Sequence, residues 1–248
     1  MGLSIDSEPG VILHTRPYQE NSLLVELYTL NYGRISAVAR ISKKVSSRAR
    51  GIYQPYALLK LSLSKGKSSL FSLKDAYLQR PAFHFEIPRL FSAIYANELM
   101  MNLVKVTESD PKLFASYIKT LERLEGSDSE ALILRDFEAD LIESLGYSIN
   151  YECADGSELD GNEHYFYSLN HGFVLDNLHE SYTFKGCDLI ELKQYLNTRA
   201  HGALETDSYF DKSKLSLLKT LNKTVIDSLL NGKALQSREL YAQYLTVK

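Results

Sequence analysis

The stretch Leu59-Lys60-Leu61-Ser62-Leu63-Ser64, followed by Lys65-Gly66-Lys67 and then by residues 70–78, decides the fold of the first third of the chain. Leucines alternate with lysine and serine at a period of two. That spacing turns the three leucines to one face of a strand and the polar side chains to the other. The Lys-Gly-Lys segment is a turn signal between this strand and the next. Working outward, residues 11–16, 23–29 and 34–41 read as three further strands, and Asn31-Tyr32-Gly33 marks the turn between the last two. Five short strands at regular spacing predict a small closed barrel such as an OB-fold.

The pattern changes near Pro81 and Pro88. Beyond them the apolar spacing is three and four, the period of a helix with one buried face. Leu90, Ile94, Tyr95, Leu99 and Leu103 mark one helix, and Leu113, Tyr117, Leu121 and Leu124 a second. Leu134, Phe137, Leu141 and Leu145 mark a third, with Ser127 and Glu130 spaced as a capping box and Gly146 as its stop. Residues 165–169 and 172–175 flank Asn170-His171 and read as a β-ribbon. Helices resume at about 188–196, 213–230 and 237–245. The expected class is α+β: an N-terminal OB-fold β-barrel, then an all-helical domain with a small β-ribbon insert. The expected domains are 1–80, then 81–146 with 183–248, and an insert at 147–182.

Charge separates these parts. The chain carries 28 Lys and Arg against 31 Asp and Glu, a net −3. Residues 1–80 hold 12 basic and 5 acidic residues, 12 − 5 = +7, and the remainder 16 − 26 = −10. Charge drifts along any chain, yet this asymmetry suits a polyanion partner for the first part. Arg40, Lys43, Lys44, Arg48 and Arg50 fall within eleven acid-free residues, with Ser42, Ser46 and Ser47 among them. Cations and hydroxyls of this kind hold phosphates without reading sequence. A solvated basic loop is the plainer alternative. Arg16 and Arg34 are candidates for the same surface. Tyr18, beside Pro17, is the candidate for stacking on a base, although most tyrosines in such strands are half-buried sheet residues. Arg135 lies on the third helix, where a surface ion pair is the ordinary role and a two-pronged grip on a carboxylate the alternative.

Other chemistry finds no seat. Gly66-Lys67-Ser68 is not a phosphate loop, because that motif needs a glycine at position 61, which is Leu61. Asp155, Glu158, Asp160 and Glu163 lack the spacing of a calcium loop. The two cysteines, Cys153 and Cys187, make neither a disulfide framework nor a four-cysteine zinc site. No run of apolar residues is long enough to span a membrane, and MGLSIDSEPG does not read as a secretory leader. A cytoplasmic, non-enzymatic protein without a cofactor is expected. A metal-dependent nuclease using scattered carboxylates is the enzymatic alternative, and a generic single-strand DNA- or RNA-binding module with another partner is the binding alternative.

Several segments in order resemble the RecO family of bacterial recombination mediators. They are residues 10–18 (GVILHTRPY), Gly33-Arg34-Ile35, Gly51 with Gln54-Pro55, the run from Leu134-Arg135 to Leu145-Gly146-Tyr147, and Gly232-Lys233-Ala234-Leu235 with Ser237-Arg238-Glu239-Leu240. The resemblance implies an OB-fold, a helical domain and a small insert. It implies binding of single- and double-stranded DNA, annealing of complementary strands, and contact with the acidic C-terminal tail of the single-stranded DNA-binding protein SSB. It further implies work with RecR, often also with RecF, in loading RecA onto SSB-coated strands. Arg16, Arg34, Arg40 and Lys43 match basic positions of the family's barrel and its following loop, and Arg135 matches the arginine suited to the carboxylate of the SSB tail. Many members carry four zinc-binding cysteines in the insert. Here Cys153 stands alone at the first of those positions, so the insert resembles the zinc-free branch and must fold by packing.

Overall fold

The computed structural model describes residues 3–41, 52–177, 183–200 and 212–247. They pack as two units, one of residues 1–127 with 235–248 and one of residues 128–234.

The first unit is built on five strands: β1 (Leu3–Pro17), β2 (Ser22–Thr29), β3 (Gly33–Arg40), β4 (Leu58–Lys65) and β5 (Phe71–Arg80). They close into a barrel in the order β1-β2-β3-β5-β4, the expected fold class. All pairings are antiparallel except β3 with β5, which run parallel through Ala37↔Phe71, Val38↔Ser72 and Ala39↔Leu73. The alternation read in β4 is the alternation of the barrel wall. Leu59, Leu61 and Leu63 are buried in its core beside Ile12, Val25, Leu27, Ile35, Ala37 and Ala39, while Lys60 is exposed. Three buried leucine side chains contribute roughly 1.5–3 kcal/mol each relative to exposure.

The first strand is longer than its expected span of 11–16. Its register shifts between Ile5 and Glu8 and again between Ile12 and His14, and Ser7 has φ +62°. These bulges break the two-residue period. The strand is also buried on both faces. Ile5 and Ile12 enter the barrel core, and Val11 and Leu13 are fully buried without joining it. Glu8, 3% exposed, accepts hydrogen bonds from Asn31 N and Nδ2 at 2.7 and 2.9 Å, which ties β1 to the β2–β3 turn.

Two helices, α1 (Arg89–Leu103) and α2 (Pro111–Glu125), pack with the barrel. Tyr117 of α2 donates its hydroxyl to Asn97 Oδ1 at 3.0 Å, and Asn97 Nδ2 donates to the Leu13 carbonyl of β1 at 2.6 Å. The Tyr28 ring of β2 lies 5.8 Å from Phe114, and its hydroxyl donates to the Asp110 carbonyl. Asp110 also caps α2, accepting from Lys112 N and Leu113 N. The loop before α2 clamps the β2–β3 turn: Gly33 has φ +64°, and a Cβ there would lie 2.0 Å from the Glu108 carbonyl oxygen. Gly33→Ala is therefore expected to destabilise this unit by about 2 kcal/mol or more, through left-handed backbone strain and displacement of a backbone carbonyl. Thermal unfolding followed by near-ultraviolet dichroism checks this, and an unchanged midpoint would refute it.

In the second unit, α3 (Glu130–Ser144) begins later than the expected capping box allows. Ser129 occupies the N-cap with no side-chain cap bond, which makes Glu130 the first helical residue rather than the third. Strands β6 (His164–Ser168), β7 (Gly172–Leu175) and β8 (Phe184–Lys185) form a small sheet in the order β7-β6-β8, followed by α4 (Gly186–Ala200) and α5 (Lys212–Leu230). Its core is aromatic. Phe173 is fully buried, with ring centroids of Tyr151, Tyr167 and Phe184 at 5.9, 5.1 and 6.2 Å. The last helix, α6 (Gln236–Val247), returns to the first unit, where Glu98 of α1 accepts from Gln236 N and Ser237 N, both at 2.9 Å.

Candidate nucleic-acid interface

Strand register decides which of the expected basic residues meet. Antiparallel partners share a face, so the pairs Arg16↔Leu24, Leu24↔Val38 and Val38↔Ser72 form one row across four strands. The next row holds Ser22↔Arg40, with Lys74 one residue past the last β3–β5 partner. Arg16 and Arg40 therefore point outward at the same end of the barrel, separated by two strand spacings, roughly 10 Å. Both are exposed, as is Lys74. Tyr18 lies at the same end in the β1–β2 turn, half-buried, with its N–H donating to the Ser22 carbonyl at 2.9 Å.

The segment 42–51 joins Ile41 to Ile52 at this end. Ile41 N donates to the Asn21 carbonyl, and Ile52 and Tyr53 pack against the barrel core. The Tyr53 carbonyl accepts from Thr15 Oγ1 at 3.2 Å. Burial first, and the Asp75 charge second, push the Tyr53 phenol up from its ordinary range. Lys43, Lys44, Arg48 and Arg50 lie outside the described residues.

Arg34 does not join this group. It shares the outer face of β3 with Arg40 but sits six residues away, roughly 20 Å along an extended strand. Its Nε donates to the Val104 carbonyl at 2.9 Å, and its guanidinium lies 3.8 Å from Glu26, whose carboxylate also accepts from Ser36. Arg34 thus fastens β3 to the end of α1. Among the described residues, Arg16, Arg40 and Lys74 make no ion pair, so their charge is available to solvent. Lys74 was not singled out in the sequence. Its signal was the lysine that follows inward-facing Leu73, and its value depends on a parallel pairing that no local pattern reveals.

Arg135 belongs to the second unit and is only 8% exposed. Its guanidinium donates to Glu138 Oε1 at 2.7 Å, one turn along α3. From α5, Asn222 Nδ2 lies 3.2 Å from Glu138 Oε2 and 3.3 Å from the Arg135 carbonyl. The Arg135 Nε proton has no acceptor among the described residues. The exposed ion pair expected for a helix flank is instead a buried triad.

The insert does not offer the four-cysteine zinc site. Cys153 is half-buried, its thiol facing the Glu158 carbonyl at 3.6 Å, and the adjoining interior is filled by Phe173, Tyr165 and Leu159. Among the described residues no three His, Cys, Asp or Glu side chains converge to hold a metal.

Two family descriptions match this chain. "Recombination protein O N terminal" matches residues 3–82, the barrel, and "Recombination protein O C terminal" matches residues 84–224. The chain belongs to the RecO family. It is 32% identical over 245 residues to the DNA repair protein RecO of Tolumonas auensis, covering 97% of this chain and 96% of the relative. It is 32% identical over 241 residues to the DNA repair protein RecO of Pasteurella multocida, covering 95% and 94%. With the Coxiella burnetii DNA repair protein RecO it shares 33% identity over 235 residues, covering 94% and 96%. RecO membership carries a role in DNA repair and recombination. Among the described residues no helix is long and apolar enough to cross a membrane.

Proposed function

We propose that this RecO-family chain is a cytoplasmic, nucleoid-associated, non-enzymatic mediator. Its barrel grips the sugar-phosphate backbone of single- and double-stranded DNA without reading sequence, and it anneals complementary strands. The observation that carries the reading is the outward-facing group Arg16, Arg40 and Lys74 around Tyr18, beside the attachment points of the basic segment that holds Lys43, Lys44, Arg48 and Arg50. Unpaired cations fixed on a rigid sheet neutralise phosphates and release counterions. Their positions on separate strands hold a backbone in register without contacting base edges.

The second unit supplies the protein recognition. Arg135 receives a terminal carboxylate of the SSB tail, RecR and often RecF complete the assembly, and RecA is loaded on the cleared strand. The spare Nε–H of Arg135 supports this assignment, since a buried guanidinium with an unused donor is suited to an incoming oxygen.

The experiment is annealing of complementary strands coated with SSB. The purified chain is expected to accelerate annealing well above the spontaneous rate, and SSB lacking its acidic tail is expected to abolish that gain. Equal rates with and without the chain would overturn the mediator reading. Acceleration indifferent to the tail would favour a generic single-strand-binding module.

A further inference from the structure

The outer wall formed by β4 and β5 carries an aromatic side chain for which the barrel has no use. Tyr77 is 65% exposed, more than any other large hydrophobic side chain among the described residues. Ala76 turns inward to the barrel core, so the alternation of β5 turns Tyr77 out. Among the described residues its ring and hydroxyl make no hydrogen bond or ring contact. A tyrosine on a sheet surface normally packs on its cross-strand neighbour. Here that neighbour is Lys60, itself exposed and itself opposite Pro9 of β1.

The surroundings point to one kind of occupant. Lys60 beside Tyr77, and Lys74 three residues before it, are exposed cations with no ion pair among the described residues. Lys74 adjoins Arg40, so the line Arg40, Lys74, Tyr77 runs from the cationic end of the barrel along β5, roughly 10 Å from Lys74 to Tyr77. Asp75, opposite Ser62, repels a phosphate between them. Phosphates are thereby directed to Lys60 and Lys74, and the uncharged contact falls on the ring.

We propose that Tyr77 is a stacking platform for an unpaired nucleic-acid base, with Lys60 and Lys74 holding the flanking phosphates. This rests on the backbone-binding reading above and sharpens it: this wall takes a single strand. In a duplex both faces of each base are covered by neighbouring bases, so the ring has nothing to stack on, whereas every unpaired base exposes a π-face.

The test measures affinity of the full chain for oligothymidylate, for the same strand with abasic sites, and for a duplex of equal length. Tyr77→Ala is expected to weaken oligothymidylate binding by at least about fivefold, the low end of one stacked base. Duplex affinity and the salt slope stay as in the parent, because no phosphate contact is removed. Tyr77→Phe keeps parent affinity, since the ring face does the stacking. Parent and Tyr77→Ala bind the abasic strand alike. Unchanged oligothymidylate affinity in Tyr77→Ala, or an equal loss on duplex, would overturn the inference. A parent with no salt-dependent DNA binding would overturn the backbone-binding reading itself, and this inference with it.

Discussion

Raising monovalent salt from about 50 to 200 mM is expected to weaken duplex binding by about 150-fold and single-strand binding by about 50-fold. Four neutralised phosphates give log–log slopes of about −3 to −4, because each contact releases close to one condensed counterion. Arg16, Arg40 and Lys74 supply three of the cations from described strands, and the segment 42–51 has four more to offer. The triple variant Arg16→Ala, Arg40→Ala, Lys74→Ala is expected to flatten the slope by about 2 to 3. Its fold should survive, since all three side chains are exposed and unpaired among the described residues. Arg34→Ala is the internal control. Its guanidinium is held by the Val104 carbonyl and Glu26, so its loss lowers stability and leaves the slope alone. Anisotropy titrations at several salt concentrations check both, and a flat response in the parent would refute backbone binding by the barrel.

The barrel was legible in the sequence because β3 and β4 bury one face and leave the other partly exposed, which is what a two-residue alternation records. Leu59, Leu61 and Leu63 announced β4 for that reason. The first eight residues of β1 were silent because the bulge between Ile5 and Glu8 interrupts the alternation there. Helix spans were read closely, yet the start of α3 was placed early because Ser127 and Glu130 have capping-box spacing without the N-cap geometry. The candidate interface was only half legible. Arg40 is local in sequence and falls in the group, while the rest of the basic run, Lys43, Lys44, Arg48 and Arg50, lies outside the described residues. The separation of Arg34 from Arg40 depends on their lying at opposite ends of β3. The arrival of Lys74 beside Arg40 depends on the parallel closure of β3 on β5, some thirty residues apart in the chain.

The burial of Arg135 is equally nonlocal, since Asn222 reaches its partner from α5, 84 residues further on. Glu138→Ala is expected to destabilise the second unit by about 3–5 kcal/mol, because it leaves a guanidinium buried beside no counter-charge. Arg135→Ala should cost a similar amount by removing the cationic partner of Glu138, which is 2% exposed. Loss of SSB-tail binding in either single variant would therefore not separate a receptor from a fold. The double variant Arg135→Met, Glu138→Leu does separate them. It replaces the pair with apolar side chains of similar volume, which is often neutral or stabilising, and Asn222 keeps the Arg135 backbone carbonyl as a partner. Chemical denaturation is expected to show the double variant within about 1 kcal/mol of the parent and well above either single variant. With the fold thus preserved, affinity for an acidic SSB-tail peptide should fall at least about tenfold, the loss of one charge-assisted carboxylate contact. A folded double variant that binds the peptide as the parent does would make the triad a structural tie between α3 and α5 and place the tail receptor elsewhere.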